Sequence, residues 1–287
     1  MTGLSQRVAF GAYAASYFLF SRDTPSSAPP TSTPSDAGGR SVVSKVVFFI
    51  RHGESEWNAI VNRGGPGWLG RAVKTTVGEM YLAVADPTDS RLADSPLSTR
   101  GKRQTVALRE FVASNMALFP TATESKIYAS NLRRAMETAS TGLAARLAVS
   151  RERIIVHSAL QEASRNVDAL TISTTPGVVA SADEAVFDSS KNAGQKTFSG
   201  DVHVRIDEMN QQIFGDAAPA AILVGHSMWF LTYFARYLPQ SSVHPSKSHK
   251  MGNCDVVRFS VTQHANGQIV IDEASIQSLF QCPACAS

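Results

Sequence analysis

Arg51-His52-Gly53-Glu54-Ser55-Glu56-Trp57-Asn58 follows directly on the apolar run Val46–Ile50. An imidazole in such a place can attack phosphorus and hold the transferred group covalently, which splits one difficult displacement into two easier ones. Arg51 adds a permanent charge whose planar donor fork matches phosphoryl oxygens. Gly53 lets backbone approach a ligand closely, and Asn58 carries an amide able to donate to a phosphoryl oxygen. Ser130-Asn131-Leu132-Arg133-Arg134-Ala135 puts Arg134 in the first turn of an expected helix, where unpaired amides and the helix dipole favour anions. Arg133 reads as a solvated surface charge. Gly225-His226-Ser227 stands between an apolar run, Ala220–Val224, and an apolar helical pattern; a structural histidine beside a capping Ser227 is the competing reading there.

Elements that place these residues are visible in the hydrophobic pattern. Val46–Ile50 is a short β-prone run suited to a buried parallel strand, and 126–129, 153–156 and 220–224 repeat the signal. Thr99–Leu118 reads as a helix ending before Pro120, and Met228–Leu238 as a buried helix stopped by Pro239. Leu132, Ala135, Met136, Ala139, Leu143 and Leu147 form a helical stripe. Two closing strands, 256–262 and 268–274, meet around Asn266-Gly267. Strands alternating with helices predict an α/β fold of three layers: a mostly parallel central sheet with helices on both faces. In an open sheet of that kind, ligands bind beyond the carboxyl ends of the strands, where the octet stands.

RHGESEWN at the end of an apolar strand resembles the signature of the histidine phosphatase superfamily, the phosphoglycerate mutase-like proteins. Three later stretches share that resemblance in the family's order. Ser130–Ala135, with Thr138 beyond it, matches S-x-L-x-R-A; Leu160-Gln161-Glu162 matches L-x-E; Gly225-His226-Ser227 matches the second histidine motif. Leu97–Gln104 resembles the family's L-S-x-x-G-x-x-Q and reads as architecture, with Ser98 as helix N-cap. The resemblance spans about residues 45 to 275. It implies a phosphoglycerate mutase-like fold, with His52 as nucleophile and Arg134 as a second phosphate clamp beside Arg51. It further implies that His226 binds the phosphoryl group and that Glu162 donates the proton. It implies no metal and no cofactor.

The expected activity is hydrolysis of a small phosphorylated substrate through a phosphohistidine on His52, with a phosphoprotein substrate also open. Phosphoglycerate mutase-type transfer is the rival activity, but Ala163–Asp168 does not resemble the stretch that follows the acid in mutases. A catalytically silent scaffold of the same fold is the non-enzymatic alternative, and retention of every reactive position speaks against it.

Composition sets the remaining bounds. The chain has 287 residues, 43% hydrophobic and 18% charged, enough to bury a sizeable core. A net charge of +3, with no basic run, argues against a nucleic-acid partner. Its three cysteines are too few for a disulfide framework, and Cys282–Cys285 lacks a second pair for a metal site. Residues 1–44 read as a flexible tail with a Ser/Pro/Thr-rich linker, and 45–287 as the catalytic domain. The apolar run 8–20 is too short to span a membrane, leaving a targeting segment, a membrane-associating segment and a loose tail open. A cytoplasmic address is favoured. Segments 60–96 and 163–200 read as insertions, and Arg63, Arg71 and Lys74 of the first as solvated loop charges. His157, His203, His244, His249 and His264 have no motif and read as structural or exposed.

Overall fold

A computed structural model describes residues 4–23, 42–62, 90–179, 185–198 and 200–283. Seven strands form one sheet: β1 (Val43–Arg51), β2 (Ser125–Ala129), β3 (Ile154–His157), β4 (Phe187–Lys191), β5 (Ala220–Gly225), β6 (Val256–Gln263) and β7 (Ile269–Phe280). Their order across the sheet is β4-β3-β2-β5-β1-β6-β7. The first five in that order run parallel, and β6 and β7 add an antiparallel flank. The expected α/β architecture is present.

The helices are α1 (Leu4–Phe20), α2 (Glu56–Asn62), α3 (Thr99–Ser114), α4 (Arg133–Gly142), α5 (Ala144–Ser150), α6 (Val202–Gly215) and α7 (Ser227–Tyr237). Strand β1 is apolar on every residue from Val46 to Ile50 because both of its faces are covered. Val47 and Phe49 pack under α6 and α7, among Met209, Trp229, Phe230 and Tyr233. Phe48 and Ile50 pack under α3 and α4, among Leu108, Val112 and Met136. Phe49 stacks on Phe230 with ring centroids 4.1 Å apart and meets three more rings of α7 edge-on, so α7 is seated on the centre of the sheet.

Three expectations need correcting. Residues 4–20 are not a loose tail. Phe10, Ala14 and Tyr17, at steps of four and three, form a buried stripe against Ala93 and Leu170, and that stripe docks α1 on the domain. No helix among the described residues is long and apolar enough to cross a membrane. The segment 163–200 is not wholly an insertion, since it supplies the edge strand β4, paired in parallel with β3. Its Ser- and Asp-rich composition hid the strand, because an edge strand buries few side chains. The stripe expected as one helix from Leu132 to Leu147 is two, α4 and α5, with Leu143 between them. Residues 24–41 of the expected linker 24–44, the arginines and lysine at 63, 71 and 74, and Cys285 lie outside the described residues, while Val43 and Ser44 at the linker's end belong to β1.

Candidate active site

Four strands side by side in the sheet deliver the candidate residues. Arg51, the last residue of β1, pairs with Gly225, the last of β5, so His52 and His226 leave the sheet on adjacent strands. His52 N–H donates to the Gly225 carbonyl (3.0 Å), which extends the ladder one residue past β1. Next to β5, β2 ends at Ala129 and its chain turns through Ser130–Leu132 into α4, with Arg134 the second helical residue. Beside β2, β3 ends at His157, and a short 3-10 turn over Ser158–Leu160 leads to Glu162. Asn131 Nδ2 ties the β2 and β3 exits together by donating to Ser158 Oγ (3.1 Å) and Asn192 Oδ1 (2.7 Å).

The hydrogen bonds of His52 fix its reactive nitrogen. Nδ1 lies 2.5 Å from the Gly53 carbonyl, an oxygen that can only accept, so the proton sits on Nδ1. Nε2 is left with its lone pair and accepts from Arg134 Nε–H at 3.3 Å. Burial, with Arg134 and Arg51 close by, holds the His52 pKa well below its ordinary value, so the ring is neutral and nucleophilic. Asp168 aims the Arg134 guanidinium: its carbonyl accepts from NH1 (2.6 Å) and its carboxylate lies 3.7 Å from NH2. Arg51 is anchored through NH1 to the Met251 carbonyl (2.6 Å).

His226 is fully buried, its ring centroid 5.0 Å from that of His52. Among the described residues neither ring nitrogen has a hydrogen-bond partner. Burial and the Arg134 charge push its pKa well down. Ser227 does not cap α7; His226 occupies the cap position without a side-chain cap bond. Glu162 Oε1 accepts from the amides of Ala163 (2.9 Å) and Trp229 (3.2 Å). Burial nevertheless raises the Glu162 pKa, the condition for a carboxyl group to carry a proton to its reaction.

Arg51, His52, Asn58, Arg134 and Glu162 line one cavity of about 670 Å³. His226 is enclosed behind it, while the next residues, Ser227 and Met228, reach the wall. All six candidates therefore gather at one edge of the sheet. Among the wall residues not singled out from sequence are Phe18 and Asp23 from the N-terminal segment, Asp168 and Lys250. No short-range pattern marks them, because each reaches the cavity only through tertiary packing. Arg133 is not a solvated charge. Its guanidinium donates to the carbonyls of Asp94 (2.7 Å), Ser90 (3.0 Å) and Ala93 (3.0 Å), holding that segment against α4. Among the described residues no group of His, Cys, Asp or Glu is arranged to hold a metal ion.

The family model of the histidine phosphatase superfamily, branch 1, matches residues 86–271, well over half of the chain. The chain belongs to the histidine phosphatase superfamily. Arg134, Glu162 and His226 lie inside the matched span, whereas RHGESEWN precedes it. No curated protein sequence matches this superfamily member. Among solved structures, a phosphoglycerate mutase from Bacillus anthracis str. Sterne is 17% identical, with a TM-score of 0.44, covering 80% of this chain and 92% of its own. A mycobacterial glucosyl-3-phosphoglycerate phosphatase in complex with VO3 is 18% identical, with a TM-score of 0.43, covering 79% of this chain and 97% of its own.

Proposed function

We propose that this histidine phosphatase superfamily member is a phosphomonoesterase that hydrolyses a small phosphorylated substrate through a phosphohistidine on Nε2 of His52. The observation that carries the reading is the lone pair on Nε2, set 3.3 Å from the Arg134 guanidinium in a cavity that also holds Arg51, Asn58 and Glu162. On binding, a phosphoryl oxygen takes over the Arg134 Nε–H that now points at His52. Arg51, Arg134 and Asn58 hold the equatorial oxygens, and His226 donates a further hydrogen bond from behind. The Nε2 lone pair forms the N–P bond while the P–O bond to the leaving group breaks, and protonated Glu162 gives its proton to the departing oxygen. A water molecule then attacks phosphorus as the N–P bond breaks, its protons leave with the phosphate, the imidazole is freed, and Glu162 regains its proton from solvent. Fixed charges and donors supply most of the acceleration, as is general for phosphoryl transfer. None of these steps calls for a metal or cofactor.

Hydrolysis rather than mutase transfer is favoured by Ala163–Asp168, which runs along the cavity wall without resembling the corresponding mutase stretch. The decisive experiment compares the full chain with His52→Ala on p-nitrophenyl phosphate and follows covalently bound phosphate after rapid acid quench. The variant is expected to lose at least about 1000-fold in turnover, together with the label. Turnover at the original rate in folded His52→Ala would remove the nucleophile and the reading with it. With 3-phosphoglycerate, appearance of the 2-phospho isomer instead of free phosphate would favour the mutase.

A further inference from the structure

The N-terminal segment brings a buried carboxylate into the wall of the active site. Asp23 is fully buried just beyond α1, and its Oδ2 lies 2.8 Å from Lys196 Nζ. Arg205 NH2 lies 3.0 Å from Oδ1 of the same carboxylate. Both cations also grip the backbone that carries Glu162. Lys196 Nζ donates to the carbonyls of Glu162 (2.9 Å) and Ser164 (2.6 Å). Arg205 NH2 donates to those of Gln161 (3.3 Å) and Glu162 (3.4 Å). One carboxylate thus compensates two buried positive charges, and those charges fasten three carbonyls of the acid loop.

We propose that Asp23 is a positioning residue for Glu162: docking of α1 completes the ion cluster that sets the acid loop against the cavity. This rests on the proton-donor role given to Glu162 above. The helix is fitted for the task. Tyr17 donates its hydroxyl to Asp23 Oδ2 (3.2 Å) and lies beneath Lys196, whose Nζ is 5.2 Å from the ring centroid. The Tyr13 hydroxyl bonds to the Lys196 carbonyl, and both tyrosines pack on Phe198. Burial pulls the Lys196 pKa down to about 8, while Asp23 works the other way. Loss of the carboxylate therefore lowers it further, leaves the buried ammonium without its counter-charge and weakens its hold on Glu162 and Ser164.

The test uses full-length Asp23→Asn and Lys196→Met beside Glu162→Gln. Each is assayed on p-nitrophenyl phosphate, whose leaving group needs no proton, and on glycerol 2-phosphate, whose alkoxide does. Lys196→Met leaves a one-to-one Asp23–Arg205 pair, so it keeps the helix anchored if Asp23→Asn fails to fold. General-acid catalysis contributes roughly 100-fold or more, so both variants are expected to lower kcat on glycerol 2-phosphate at least about 10-fold more than on p-nitrophenyl phosphate. A purely structural role would reduce both substrates by the same factor. Equal losses in Asp23→Asn and Lys196→Met, while Glu162→Gln still discriminates, overturn this inference and leave the proposed reaction standing. Equal losses in Glu162→Gln overturn the acid role and this inference together.

Discussion

At the scale of single residues, the site separates its protonation states by environment. Burial and two arginines depress His52, and burial raises Glu162. The two shifts favour the neutral imidazole and the protonated carboxyl group, the forms that nucleophile and acid need. Turnover of alkyl phosphates is expected to fall as pH rises through the elevated Glu162 value, whereas the p-nitrophenyl phosphate rate holds there. Its acid limb should lie below the ordinary histidine range of about 6.5. A pH–rate profile on both substrates measures this, and coincident alkaline limbs would contradict the assignment to Glu162. Glu162→Gln is expected to slow alkyl phosphates by about 100-fold or more while changing p-nitrophenyl phosphate far less. His52, Arg134 and His226 were legible in the sequence because each sits within a few residues of a strand end. Asp168 and Asp23 were not, because a lone acid in a loop carries no local signal.

At the scale of elements, a clasp between α3 and the loop after His52 holds the nucleophile's surroundings. Ser98 caps α3 by accepting from Gly101 N–H (3.0 Å) and donates its hydroxyl to Glu54 Oε1 (2.8 Å). Gln104 Oε1, one turn on, accepts from Glu54 N–H (2.8 Å). Gly101 lets the two backbones meet: a Cβ there would fall 2.0 Å from the Glu54 carbonyl oxygen. Gly101→Ala is expected to cost about 1–3 kcal/mol in urea unfolding and to lower turnover on p-nitrophenyl phosphate. Unchanged stability would show that loop and helix part readily. The motif was legible as architecture, and Ser98 as its cap. That it clasps the loop following the nucleophile required the fold, since the partners lie 44 to 50 residues apart.

For the whole molecule, burying imidazole rings and charges under one sheet edge has a cost in stability that depends on pH. Below about 6.5 the unfolded chain protonates its histidines. Buried His52 and His226 stay neutral until their lower folded values are reached. The unfolded state then binds more protons, so stability falls as pH falls, by up to about 1.4 kcal/mol per pH unit for each ring. Between pH 7.5 and 5.5, His226→Asn should lose about 1.4 kcal/mol less than the parent chain in denaturant titrations; parallel losses would mean that the ring protonates freely in the folded state. The sequence by itself determined six of the seven strands, the helical stretches that became α3, α4 with α5, and α7, and six candidate residues, because strand ends, turn chemistry and hydrophobic period are local properties. Only the tertiary structure decided that β4 joins the sheet and that Arg133 braces a loop. It also decided that α1 docks and carries Asp23 to the site. Those outcomes depend on contacts between residues far apart in the chain, and burial of a charge such as Asp23 is settled by which cations the fold brings to meet it.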